Sequence, residues 1–131
     1  MEDDNAVHAV VEAYVAGVSA NDAAAVSSVF RKDAFMWGFL GGSDVVAMPA
    51  SDFLPVVASA PEPARWVDGY DHRIRSVEIT GDTAIAVLEE SGYLGADFTN
   101  YFTLVREDGR WSIASKTFFL TGGSLPAPPE A

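Results

Sequence analysis

The stretch YDHRIRSVEITGDTAIAVLEESGYLGADFTNYFTLVREDGRWSIASKTFFL, Tyr70–Leu120, decides the fold. It holds four runs of strand-forming residues, at 70–80, 83–92, 97–106 and 110–120. Gly81-Asp82, Leu94-Gly95-Ala96 and Glu107-Asp108-Gly109 separate them. Connections this short, each carrying glycine, predict antiparallel neighbours. In the third run a period of two puts Asn100, Phe102 and Leu104 on one face. Thr99, Tyr101, Thr103 and Val105 take the other.

Upstream of these runs the apolar period changes. Val7, Val10, Val11, Tyr14, Val15 and Val18 form one stripe on a helix of about four turns. Asp3, Asp4 and Asn5 supply its N-cap and place negative charge at its start. Asn21-Asp22 stops that helix and caps a second, with Val26, Val29 and Phe30 inside, ending at Arg31-Lys32-Asp33. Phe35 to Leu40 reads as a short aromatic strand, Gly41 to Asp44 as a turn, and Val45 to Met48 as a hairpin partner. Ser51 caps a third helix holding Phe53, Leu54, Val57 and Ala58, which Pro61-Glu62-Pro63 ends. The expected architecture is α+β: a cone of curved antiparallel sheet wrapped around three N-terminal helices. It occupies residues 1–120, and a Pro/Ala-rich tail fills 121–131.

A chain of 131 residues suits one core. Lys+Arg number 8 and Asp+Glu 19, a formal net charge of −11. That balance argues against nucleic acid and against anionic membrane surfaces as partners. Cysteine is absent, which excludes disulfides, thiolate nucleophiles, iron–sulfur clusters and Cys-type zinc sites. With two histidines, a His-rich metal site is not expected either, and no cofactor is implied. The acidic N-terminus and the lack of about 18 consecutive apolar residues predict a cytoplasmic protein.

The order of elements resembles the nuclear transport factor 2-like superfamily. Three segments carry the resemblance. The first is Ala9-Val10-Val11-Glu12-Ala13-Tyr14-Val15-Ala16-Gly17 with Asn21-Asp22, Val29-Phe30 and Asp33-Ala34. The second is Gly81-Asp82-Thr83-Ala84-Ile85-Ala86-Val87. The third is Gly109-Arg110-Trp111-Ser112-Ile113-Ala114 followed by Lys116-Thr117-Phe118-Phe119. Gly38-Phe39-Leu40-Gly41-Gly42 and Tyr101-Phe102-Thr103-Leu104-Val105 look more particularly like the branch labelled "putative lumazine-binding". The superfamily spans ketosteroid isomerases, dehydratases, polyketide cyclases and plain binding or scaffold domains, so the fold does not select among them.

Tyr14 reads either as a core aromatic with a satisfied hydroxyl or as a donor aimed into a pocket. The resemblance to ketosteroid isomerases implies the second, as an oxyanion-hole tyrosine. Asn100 shares the inward face with Phe102, so its amide is either structural or ligand-facing. The resemblance puts it where those isomerases carry a protonated aspartate, and Tyr14 with Asn100 would then hold a carbonyl or enolate oxygen. Gly38 occupies the place of their catalytic base, so the base must come from elsewhere. His72 qualifies by its near-neutral pKa, and Glu90 by its place on the inward face with Ala84, Ala86 and Leu88. Either also reads as a rim residue with no task.

Trp37, Phe39, Phe53, Trp66 and Phe102 are candidates for lining a pocket for a planar or polycyclic ligand. Thr99, Tyr101, Thr103, Val105, Lys116 and Phe118 are expected on an outer sheet face that pairs two copies into a homodimer. The leading functional expectation is a small-molecule-binding domain. A cofactor-free isomerase, dehydratase or cyclase is the alternative, and a dimeric scaffold without catalysis a further one.

Overall fold

Val7, Val11, Tyr14, Val15 and Val18 are buried along α1 (Glu2–Ser19), the stripe that the helical spacing gives. The computed structural model describes residues 2–63 and 66–125. Asp3 and Asp4 lie in the first turn of α1, and Asp3 pairs with Arg106 at 2.8 Å. Asn21 leaves the helix at φ 55° and donates through Nδ2 to the carbonyls of Ala60 and Pro61. Asp22 caps α2 (Ala23–Val29) by accepting from the Ala25 amide at 3.1 Å.

The chain then enters β1 (Phe30–Phe39), β2 (Val46–Pro49) and a 3-10 turn at Ala50–Phe53 that continues into α3 (Leu54–Ala58). The remaining strands are β3 (Asp71–Thr80), β4 (Thr83–Tyr93), β5 (Ala96–Glu107) and β6 (Arg110–Gly123). One sheet runs in the order β2-β1-β6-β5-β4-β3. Register shifts in β3, β4, β5 and β6 bend it, because each bulge adds local twist. Helix α1 lies against β3, β4 and β6, so the core forms on the concave side.

Four expectations need correction. The sheet is mixed, not antiparallel throughout: β1 and β6 run parallel from Phe35↔Ser115 to Phe39↔Phe119. No turn joins those strands, so no turn chemistry announces their direction. Helix α2 stops at Val29, since Phe30 already has extended backbone. Ser51 makes no capping bond. Strand β6 continues to Gly123 and Leu125 packs on the core, so the boundary at 120 falls inside the sheet. Residues 126–131 of the expected tail lie outside the described residues.

A fifth correction concerns the outer face. Thr99, Tyr101, Thr103 and Val105 do point outward, but Lys116 and Phe118 are buried, at 6% and 5% exposure. The cause is a bulge. Leu104 pairs with Ile113, and Thr103 with Ser115, so Ala114 is the extra residue. Before it Trp111 and Ile113 face inward; after it Lys116 and Phe118 do. Thr117 and Phe119 take the outward places, beside Trp37 and Phe39 of β1.

Gly38 faces inward against β6, and a Cβ there would collide with the Phe118 ring and carbonyl oxygen. No side chain of any kind fits at this position, which is where the resemblance puts a catalytic aspartate. Gly38→Ala is expected to destabilise the fold by roughly 2 kcal/mol through overpacking. The readout is a lowered urea midpoint at unchanged slope; an unmoved midpoint would show that Phe118 yields without cost.

Candidate functional site

Two ionisable side chains, Glu90 of β4 and Lys116 of β6, are buried and line the same apolar cavity. Met36, Met48, Phe53, Phe98 and Phe118 supply most of its walls, and the half-buried or exposed Leu40, Val56 and Leu125 form its rim. Its interior holds about 100 Å³. That is less than the ~150 Å³ cavity that accepts benzene. A short chain fits inside; a single ring extends into the mouth.

Glu90 faces inward because Ala84, Ala86 and Leu88 precede it on the same face, all buried. Both carboxylate oxygens are held. Asn100 Nδ2 donates to Oε1 at 2.6 Å, and the Tyr70 hydroxyl donates to Oε2 at 2.7 Å. Asn100 is itself fully buried and its Oδ1 has no partner among the described residues. Tyr93, on the cavity wall, has a buried hydroxyl that is likewise unpartnered among them.

Lys116 Nζ donates to the Tyr14 hydroxyl at 2.6 Å. The rings of Phe53, Tyr14 and Phe118 surround it, with centroids 4.6, 5.1 and 5.4 Å away. No carboxylate lies within 4.0 Å of it among the described residues. Burial among rings pushes the Lys116 ammonium down to about 8, although the Glu90 charge acts in the opposite sense. Burial, then the Glu90 charge, raises Tyr14, Tyr70 and Tyr93 above the ordinary tyrosine value. These phenols therefore stay protonated at neutral pH.

Tyr14 and Asn100 stand one layer behind the cavity, each spent on an ionisable partner that lines it. They are positioning residues for Lys116 and Glu90, not a free pair of oxyanion donors. His72 pairs in register with Glu90 across β3 and β4, yet its ring turns away. Its Nε2 lies 3.1 Å from Glu12 of α1, and its ring stacks near Tyr70. Trp66 donates from Nε1 to the Pro61 carbonyl and packs edge-on against Tyr70 and Tyr93. It braces the cavity wall without lining it. Phe102 is fully buried beneath the Tyr14 ring.

Of the expected aromatic lining only Phe53 reaches the cavity. Trp37 and Phe39 lie on the outer face, where Trp37 packs on Phe35 and Phe39 on Phe119. Lys116 is the residue that sequence reasoning missed, because period two carried it outward. A signal was present: the chain has only two lysines, and this one sits mid-strand, two residues before Phe118-Phe119. Among the described residues no group of three His, Asp or Glu is placed to hold a metal ion, and no helix is long and apolar enough to cross a membrane.

The Lys116 shift carries a sign. The unfolded chain holds its lysine proton up to about 10.5 and the folded one only to about 8, so unfolding takes up protons between those values. Stability contributed by this group therefore rises with pH across that window, by up to about 3 kcal/mol. The three raised tyrosines oppose it above about pH 10, where they ionise only in the unfolded chain. Lys116→Met should accordingly be more stable than the native chain near neutral pH, and the gap should narrow by about pH 9.5. Denaturation curves of both forms at the two pH values test this. A gap independent of pH would mean that Lys116 keeps an ordinary affinity for its proton.

Comparison with known proteins agrees with this architecture. The profile of the family described as "Putative lumazine-binding" matches residues 2–119. A search of curated proteins returns no match. Among solved structures, a nuclear transport factor 2-like protein of unknown function from Shewanella baltica OS155 superposes with a TM-score of 0.85 at 20% identity, covering 93% of this chain and 96% of that one. One of unknown function from Methylobacillus flagellatus KT gives 0.83 at 24% identity, covering 93% and 94%. A ketosteroid isomerase-like protein from Erwinia carotovora atroseptica SCRI1043 gives 0.64 at 16% identity, covering 90% and 95%. At these identities the likeness concerns the fold. The profile match over nearly the whole chain shows that the chain belongs to the "Putative lumazine-binding" family.

Proposed function

We propose that the chain is a small-molecule-binding domain whose ligand enters between Leu40, Val56 and Leu125 and turns a polar oxygen toward Lys116 and Glu90. The carrying observation is a buried ammonium and a buried carboxylate on one otherwise apolar cavity. Burying either group costs several kcal/mol unless a partner compensates it. Asn100 and Tyr70 compensate Glu90, whereas Lys116 has one hydroxyl and three ring faces. A ligand oxygen supplies what Lys116 lacks, and the apolar walls take the ligand body. The cavity volume favours one planar ring over a polycyclic system.

A second reading rests on the same pair. A carboxylate and an ammonium facing one bound molecule are the parts for moving a proton beside a carbonyl: Glu90 takes it, and Lys116 with Tyr14 behind it holds the oxyanion. That step is common to cofactor-free isomerases, dehydratases and cyclases. Gly38 leaves no room for a base on β1, so Glu90 stands in its stead. His72, bound to Glu12, has no access to such a ligand.

The homodimer belongs to the outer face. Trp37, Ile85, Tyr101 and Phe119 are each between 45% and 54% exposed and lie on four adjacent strands. Phe35, Phe39, Thr103 and Thr117 fill in between, and none of these eight side chains is charged. In a chain of net charge −11, an uncharged apolar band is the surface on which two copies can meet without repulsion.

Three experiments address these readings. Saturation-transfer NMR with cyclohexanol should detect binding to the native chain, and Val56→Trp, which plugs the exposed rim, should abolish it. Equal signals from both would remove the cavity as the site. In D2O the native chain should also exchange the α-protons of cyclohexanone, and Glu90→Gln should bind without exchanging; no exchange by the native chain leaves binding alone. Sedimentation equilibrium at micromolar concentration should give about twice 13.9 kDa for the native chain. Phe119→Glu should give the monomer mass, and a monomeric native chain would dispose of the dimer.

A further inference from the structure

We infer that Lys116 forms an imine with a small aldehyde or ketone bound in the cavity. The inference rests on the binding reading above and deepens it, since it names the ligand class and the bond. Nucleophilic attack by an amine needs a free lone pair, an approach path and an environment that expels charge. Lys116 meets each requirement. Lys116 lines the cavity, and its Nζ lies beside Phe53 and Phe118, which line it too. Among the described residues no carboxylate sits within 4.0 Å to fix the ammonium form. Its one hydrogen bond, to the Tyr14 hydroxyl, leaves two of its three N–H positions unused, and loss of one proton frees the lone pair. Burial among rings weakens its hold on the proton, to about 8, which leaves a working fraction of free amine at neutral pH.

The chemistry balances without a further reagent. The ammonium releases one proton to bulk water through the cavity mouth. The neutral nitrogen attacks the carbonyl carbon, the C–N bond forms, and the carbonyl oxygen becomes a hydroxyl by taking a second proton from nitrogen. A proton from bulk water returns to that hydroxyl, the C–O bond breaks, and water leaves. One ammonium and one carbonyl compound have become one iminium and one water, and the charge is unchanged. The apolar walls of Met36, Met48 and Phe98 then slow the return of water. Tyr14 positions the nitrogen throughout.

The chain is suited to a clean test, because Lys32 is its only other lysine and is exposed. The full-length protein is incubated with cyclohexanone and sodium borohydride near pH 7.5, then digested and mapped by mass spectrometry. One cyclohexyl group per chain is expected, on Lys116 in at least about tenfold excess over Lys32, because an ordinary lysine holds its proton some two units more tightly. Excess cyclohexanol, which cannot form an imine, should slow the labelling, and Lys116→Arg should abolish it. Label confined to Lys32 and the N-terminal amine overturns the inference. If cyclohexanol still binds by NMR in that case, the binding reading survives and only the covalent step falls. If neither probe engages the cavity, both fall. Because the native chain carries Lys32 as its own reference, a misfolded Lys116→Arg does not blunt the result.

Discussion

A β-strand presents its side chains with a period of two, and β6 breaks that period at Ala114. Everything that distinguishes the interior follows from the break. Ahead of it, Trp111 and Ile113 fill the core; past it, Lys116 and Phe118 turn inward. Without the extra residue the inward row would continue as Ser115, Thr117 and Phe119, and the lysine would face solvent. Bulges recur beside functional sites because they re-aim a side chain while keeping the strand paired. Here one bulge converts a surface lysine into a buried one and also lets the Phe118 ring close over Gly38.

Turning an ammonium into an apolar cone is costly, and its neighbours show how the cost is contained. Three ring faces and a tyrosine oxygen surround Lys116. Such contacts are worth on the order of 1–2 kcal/mol each when desolvated, less than the several that the lost hydration costs. The remainder is met by a weakened hold on the proton, which is why the downward shift and the ring cage occur together. Glu90 follows the opposite course: two charge-assisted hydrogen bonds, from Asn100 and Tyr70, hold both its oxygens. One wall of the cavity thus carries a well-anchored carboxylate and the other a poorly compensated amine. A polar network satisfied at one end and open at the other is a binding arrangement rather than a stabilising one.

The sequence was informative wherever the physics is local. The 3.6 spacing of Val7, Val11, Tyr14 and Val18, the Asp22 cap and the three glycine-bearing turns each act over a few residues, and the elements stand where those signals put them. The inward face of β5, with Asn100 beside Phe102 and Leu104, was legible for the same reason. What was not legible is set by partners distant in the chain. The parallel pairing of β1 with β6 has no connecting turn to signal it. The bulge at Ala114 accommodates β5 within a curved sheet and has no glycine to mark it. Trp37 and Phe39 bordered a loop in the sequence, but β1 exposes one face and buries the other. The small residues Ala34 and Gly38, with Met36, took the inner side and sent the large rings out.

Gly38 links these two kinds of information. A glycine where the resemblance to ketosteroid isomerases implies an acidic base reads in sequence as a loss. In the structure the space has been taken rather than vacated, since the Phe118 ring and carbonyl occupy the volume a side chain would need. The interior has therefore been rebuilt about a different axis. The acid comes from β4 instead of β1, and a cation from β6 replaces the neutral donors that would have bound an oxygen directly. Tyr14 and Asn100 keep their places but are withdrawn one layer, each now hydrogen-bonded to the group in front of it. A neutral donor pair stabilises an oxyanion that forms during reaction. An amine short of counterions attracts a carbonyl or carboxylate oxygen from the outset, and can go on to bond its carbon. The retained fold and the exchanged polar groups both support the proposed reading, in which the cone holds small oxygen-bearing molecules by chemistry that its lysine, not the missing aspartate, defines.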